Sequence, residues 1–144
     1  MALLPHIGVA TCNIMVNAAV DQLDGSAGVM KVFSGALPAE CATADPSGTL
    51  VTITLPTPAF AASADTTDEC TAAKAGTWSG TAGASGDALC WRIYLNGGTT
   101  CIAQGSAGNS GDTPDLTFDN KTIASGATIT ISTFTFALPY NPEG

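Results

Sequence analysis

A period of two in side-chain polarity recurs along most of this chain and restricts its fold more than any other feature. Leu50 to Leu55 sets Val51, Ile53 and Leu55 against Thr52 and Thr54, the pattern of a half-buried strand with a Thr-rich wet face. From Gly28 onward, Met30 and Val32 oppose Val29, Lys31 and Phe33. Leu89 to Leu95 places Leu89, Trp91, Ile93 and Leu95 on one face and Cys90, Arg92 and Tyr94 on the other. Asn96-Gly97-Gly98 then reads as a hairpin turn, because these residues tolerate positive φ, with a return strand from Thr99 to about Gln104. The last run, Thr128 to Leu138, changes parity: Ile129 and Ile131 are odd, whereas Phe134, Phe136 and Leu138 are even. A one-residue slip exchanges the faces of a strand. A β-bulge near Ser132–Thr133, or a crossing from one sheet to another, is therefore needed to bury both halves.

One segment follows a helical period instead. Residues 11–24 carry Met15, Ala19 and Leu23 at i, i+4 and i+8, with Val16 and Val20 widening the stripe, Thr11 placed to cap the start and Gly25 to end it. Pro56-Thr57-Pro58 interrupts any ladder and frees Phe60 to turn back as a plug on the core. Ala61 to about Cys70 reads as a loop, Thr71–Gly86 as weak strand plus loop around Trp78, and Gly105–Gly111 as a mobile Gly/Ser loop before Leu116 and Phe118. The fold class expected is mainly β: an antiparallel β-sandwich of six to eight strands with one N-terminal α-helix. No repeat or linker divides the 144 residues, so the expected plan is a single domain, 1–144, with an interaction arm at 1–10, the helix at 11–24 and the sandwich at 28–138.

Composition removes several function classes. Charged residues are only 11% of the chain, Ala, Thr, Gly and Ser fill 70 of 144 positions, and four basic residues face twelve acidic ones for a net charge of −8. Phosphate backbones and anionic lipid repel such a protein, so no nucleic-acid and no membrane partner is expected. No run approaches the ~20 apolar residues of a membrane helix, and Met1-Ala-Leu-Leu-Pro-His lacks the basic and apolar regions of a secretory signal. Synthesis in the cytoplasm is expected. Five cysteines with no CxxC pair and a single His make no zinc set, and an odd count leaves at least one free thiol in a monomer. Cys41 and Cys70 both sit in small polar segments that read as loops and are the pair expected to bridge; Cys90 and Cys101 flank the hairpin, and Cys12 reads as a buried small hydrophobe.

No constellation of residues announces a chemistry. Asp112, Asp115, Asp119 and Asn120 offer oxygen donors but lack the Gly-centred loop and terminal Glu of an EF-hand, so turn chemistry accounts for them. Gly76-Thr-Trp-Ser79-Gly80 has a serine in a β context rather than at a strand-to-helix elbow, and His6 lies before the helix, so no nucleophile–base pair is expected. No enzyme, no metal and no cofactor are expected. Trp78, Trp91 and Tyr94 could make a sugar platform, although core and edge packing is the ordinary role of such residues. Arg92, the only arginine, is either an ion-pair partner, an interface anchor or a solvated strand residue, and Leu3, Leu4, Pro5 and Ile7 are apolar residues outside the helix that could reach a neighbour.

Three stretches resemble a known group in their order along the chain. They are Ile7-Gly-Val-Ala-Thr with Asn13, Ala18-Ala-Val-Asp-Gln-Leu-Asp-Gly25 and Lys31-Val-Phe-Ser-Gly35; then Leu50-Val-Thr-Ile-Thr-Leu55 with Pro58-Ala-Phe60; then Ile123-Ala-Ser-Gly-Ala-Thr-Ile-Thr-Ile-Ser-Thr-Phe-Thr-Phe136. This pattern is similar to small structural proteins of tailed bacteriophages encoded among head genes, and it covers most of the chain outside residues 61–86. The resemblance implies a virion component, first a capsid decoration or cement protein on the exterior of the major capsid protein lattice, present as a homo-oligomer or multi-copy array. A tail or head–tail component, or a host-surface-binding β module, is the alternative. The motifs are packing patterns that carry no catalytic residues, and the cysteines are not part of them.

Overall fold

The computed structural model describes residues 7–139. Its principal sheet has five strands in the order β2 (Thr49–Thr54), β1 (Val29–Phe33), β7 (Cys90–Leu95), β8 (Thr100–Asn109) and β9 (Leu116–Phe118). Opposite it lie a three-stranded sheet, β12 (Thr135–Pro139), β4 (Glu69–Ala73) and β3 (Ala64–Asp65), and the pairs β11 (Thr128–Ile131) with β5 (Trp78–Thr81) and β10 (Thr122–Ile123) with β6 (Gly86–Asp87). The molecule is mainly β, with a sandwich-like arrangement of antiparallel sheets and one N-terminal helix. The described residues hold twelve strands against the six to eight expected: β3, β6 and β10 have only two residues each, too few to show an alternation, and β4 starts inside the segment read as a loop. β8 and β9 pair in parallel, the exception to the antiparallel rule.

The two-residue period is realised where it is strongest. β2 buries Leu50, Val51 and Ile53 and exposes Thr52 and Thr54, and the strand is followed by buried Leu55. Phe60 is buried as the plug expected after Pro58. Asn96, Gly97 and Gly98 have φ of 52°, 68° and 104°, which is why the hairpin needs these residue types. Beyond the hairpin, β8 runs through Gly105–Asn109, where a mobile loop was expected; only Ser110–Asp112 leaves the strand, as a 3-10 turn. Glycine and serine there hid a strand whose inward positions, Gly105 and Ala107, are small because Trp91 lies against Gly105.

The parity change at the C-terminus is resolved as a crossing between sheets. β11 pairs with β5, ending at Ile131 opposite Trp78, and β12 pairs with β4, beginning at Thr135 opposite Ala73. Between them Phe134 turns into the core and contacts three other rings: Trp91 at 4.9 Å and Trp78 at 5.5 Å between centroids, and Phe60 at 6.1 Å. Trp78 also donates its indole N–H to Ala75 O at 3.1 Å.

The helix α1 spans Val9–Asp21, two residues earlier at its start than the sequence indicates, with Gly8 at the N-cap and no side-chain cap from Thr11. Its buried stripe is Cys12, Val16 and Val20, continued by Leu23 beyond the helix. Met15 faces solvent instead, so the helix is rotated by about one position from the Met15, Ala19, Leu23 stripe. The Cys12 thiol against Leu138 O, and Asn13 O and Asn17 Oδ1 receiving the hydroxyl and N–H of Ser63, fix that rotation.

β5 approaches β2 so closely that a Cβ on Gly80 would lie 2.8 Å from Thr52 O. Gly80→Ala is expected to lower stability by about 1–3 kcal/mol through overpacking. Gly83→Ala, where an added Cβ meets nothing within 4 Å, should stay within about 0.5 kcal/mol of the parent. Urea unfolding of the two variants checks the contrast.

Candidate functional site

Arg92 stands on β7 between Lys31 of β1 and Gln104 of β8, three polar residues in one cross-strand row. That face of the sheet is covered by the segment 35–48, which joins β1 to β2 and lies across the row as a strap. Arg92 is only 1% exposed. Its Nη1 donates to Thr43 O at 2.9 Å and Asp45 Oδ1 at 3.2 Å, its Nη2 to Glu40 O at 3.1 Å and its Nε to Gln104 Oε1 at 3.1 Å. Gln104 in turn donates to Pro38 O at 2.7 Å. Arg92 is thus an internal ion-pair partner. The readings as interface anchor or solvated strand residue are corrected, because a guanidinium satisfied on all sides by its own chain has no surface to offer a neighbour.

Asp45 is the charge that balances it. Tyr94 Oη donates to Asp45 Oδ1 at 2.5 Å, and Lys31 Nζ reaches Asp45 Oδ2 at 3.3 Å while lying 4.5 Å from the Tyr94 ring centroid. Burial works to raise the Asp45 pKa, but hydrogen bonds from Tyr94, Lys31 and Arg92 outweigh it and hold the carboxyl below its ordinary value. Burial and the Asp45 carboxylate push the Tyr94 phenol up, so it stays protonated as the donor. Val29, Phe33, Cys90 and Tyr94 form a small second core around this network under the strap.

The disulfide joins the strap to the same sheet. Cys41 pairs with Cys101, with Cα atoms 5.4 Å apart and a sequence separation of 60. The Cys41–Cys70 pairing is corrected: Cys70 is not in a loop but points into the core from β4, where small residues conceal a strand. Cys101 lies opposite Tyr94 beside a register shift. The shift brings Cys101 onto the face of the Arg92 row, where plain alternation from Gln104 would not put it, so the sequence pattern carries no signal for the pairing. Cys12, Cys70 and Cys90 are free and buried, as expected for Cys12. Cys70 and Cys12 are neighbours between α1 and β4, and burial together with the Cys12 thiol pushes the Cys70 pKa up to about 11.

The remaining candidates do not assemble. Ser79 exchanges a hydrogen bond with Thr130 at 3.2 Å, and His6 lies outside the described residues. Asp112 accepts from Asn109 N and ion-pairs with Lys121, while Asp115 accepts from Ser106 N and Oγ, both at 2.8 Å. These are turn contacts. Among the described residues no group of three or more acidic, Cys or His side chains is placed to hold a metal. Trp78, Trp91 and Tyr94 are all buried and present no sugar platform. Comparison with protein-family models, with curated proteins and with solved structures finds no match.

The surface offers two features of another kind. Leu3, Leu4 and Pro5 lie outside the described residues, and Ile7 packs partly buried against the core. Next to it, α1 turns Val9, Ile14 and Met15 outward, Ile14 at 67% and Met15 at 44% exposure. On another side, a groove of about 430 Å³ separates β9 from β11, and one of about 320 Å³ separates β8 from β12.

Two outcomes follow from the strap. Peptide mapping without reduction should link Cys41 to Cys101, and reduction should cost about 4 kcal/mol for a closed loop of this length, whereas Cys70→Ser leaves the link intact. Asp45→Asn removes the only carboxylate facing a buried guanidinium and is expected to cost about 2 kcal/mol, less than a fully buried pair because Asp45 is partly solvated. The folded-state pKa of Asp45 is depressed, so its contribution is complete above the unfolded value and is lost as pH falls through the folded one. The stability gap between parent and variant should therefore close on acidification below the ordinary Asp range, as measured by denaturation at several pH values.

Proposed function

We propose that the protein is a bacteriophage virion structural component, a decoration or cement protein that binds the exterior of the major capsid lattice and stabilises it. The observation that carries this reading is the outward apolar face of α1. Ile14 and Met15 are exposed on α1, and the sequence ahead of the helix carries the apolar Leu3, Leu4 and Pro5. A helix whose second face is apolar has something to cover it. The resemblance of the three sequence stretches to phage head proteins supplies the partner class. The surface chemistry agrees: Thr, Ser, Ala and Gly lose little side-chain entropy on being held and cost little to desolvate. The acidic balance suits a position away from packaged DNA.

The attachment acts by burial rather than by charge, so it should depend weakly on salt. Many modest contacts repeated over a symmetric lattice then sum to firm attachment.

Quantitative gels of purified particles should show the protein at a copy number comparable with that of the major capsid protein. Ile14→Asp with Met15→Asp should weaken binding to undecorated shells by about 1–3 kcal/mol while leaving the unfolding midpoint unchanged. Presence on tails alone, or in no particle, would overturn the reading.

A further inference from the structure

We propose that the side of the sandwich bounded by β8, β9, β11 and β12 is a docking seam that accepts an extended, positively charged segment of a partner protein as an added strand. This goes beyond the virion reading and does not depend on where the protein resides. Among the described residues, β9 pairs only with β8, β11 only with β5, β12 only with β4, and Thr100–Ser106 of β8 only with β7. Four strand edges therefore lack a partner on the side facing the two grooves. The grooves adjoin. Leu116 and Thr133 line one, and their chain neighbours Asp115 and Phe134 line the other.

An unpaired edge is a template for a further strand, since its N–H and C=O groups are already spaced for pairing. A second observation points to an occupant with carbonyl oxygens. Trp91 is 6% exposed and lines the groove between β8 and β12, yet its indole N–H has no acceptor. A Cβ on Gly105 would lie 2.8 Å from Cε2, the ring carbon bonded to that nitrogen, and 2.8 Å from Asp115 Oδ2. The orphaned donor thus sits against the β8 backbone at the groove. A buried donor without an acceptor is destabilising, and a carbonyl brought by a seated strand would satisfy it after a small ring movement.

Charge selects the occupant. The only charged residues lining the grooves are Asp115 and Asp119, on a chain of net charge −8. A second copy of this chain meets repulsion there, whereas a segment carrying Lys or Arg meets complementary charge. The walls otherwise present Thr, Ser, aliphatic and aromatic groups with the amides of Asn120 and Gln104, a mixture that suits the alternating side chains of a strand.

The test uses the full chain and fluorescein-labelled ten-residue Thr/Val peptides bearing either three Lys or three Glu. The Lys peptide should bind at least about tenfold tighter than the Glu peptide, and N-methylation of alternate backbone amides should weaken it by at least about tenfold. Hydrogen exchange should slow at one or more of 100–106, 116–118, 128–131 and 135–138 in the complex. Asp119→Lys should reduce the Lys-over-Glu preference by about fivefold, the scale of a surface charge contact. Equal binding of the two peptides, indifference to N-methylation, protection elsewhere or no binding would each overturn the proposal. A chain lacking residues 2–6 separates a further case: if it binds the Lys peptide about tenfold tighter than the full chain, the seam is filled by the chain's own N-terminal segment and the partner assignment falls.

Discussion

The guanidinium of Arg92, buried in the middle of the principal sheet, is the constraint on which much of this structure depends. A cation inside protein is tolerable only when each donor finds an acceptor and a counter-charge lies near. The sheet itself can supply Gln104 but no carboxylate. The counter-charge and three further carbonyls come from the segment 35–48, which must therefore cross the face in one arrangement. The strap turns its one large apolar side chain, Leu37, outward and has few apolar groups to hold it down. Its position is specified by hydrogen bonds from Arg92, Gln104, Tyr94 and Lys31 and fastened by the Cys41–Cys101 link. The consequence is a sheet buried on both faces, which explains why β7 shows no exposed alternation although its two sides differ in chemistry.

The other face is organised by Phe134. A strand that changed sheets without an anchor would leave two short ladders free to slip, and short ladders are weakly specified in register. Placing an aromatic ring at the crossing, in edge-on contact with Trp91 of the principal sheet and beside Trp78 of the opposite one, ties both layers at the point where the chain passes between them. The two-residue link Ser132–Thr133 is polar and exposed, so the slip in parity costs nothing in buried polar groups. Glycines serve the same compactness. Gly80 lets β5 lie against β2, and Gly105 leaves room for the Trp91 ring.

How much of this was legible follows from the same physics. Long alternating runs such as Leu50–Leu55, the turn chemistry of Asn96–Gly98 and the parity change at Ser132–Thr133 are local signals, and each corresponds to a strand, a hairpin or a crossing in the structure. Segments rich in Gly, Ala and Ser were misread, because burial there is achieved by backbone approach rather than by large side chains. β4, with Cys70 and Ala72 inward, and the second half of β8 are the examples. The helix was found but its rotation was not, since Ile14, Met15, Val16 and Val20 spread apolar residues over more than one face. The disulfide and the strap network were invisible to pattern reading: Arg92 is far in sequence from Thr43 and Asp45 and meets them only through the pairing of β1, β7 and β8. For the outward helix face, an apolar excess around α1 was the available signal, and only the packing of Cys12, Val16 and Val20 decides which part of it is left over.

A chain with so many uncovered strand edges and so few charges needs a safeguard against pairing with itself. Edge strands are ordinarily protected by lysines, prolines or bulges. Here Pro139 ends β12, and the edges are otherwise only three to five residues long in β9, β11 and β12, short enough that an accidental partner gains few hydrogen bonds. They also line grooves, where a flat encounter between two molecules makes poorer contact than at a projecting edge. The net charge of −8 adds a repulsion between copies that acts before any contact forms. Edges that are short, recessed and flanked by carboxylates disfavour self-association while remaining open to a slender segment of opposite charge. The geometry that disfavours pairing between copies at these edges therefore also sets the selectivity of the open side.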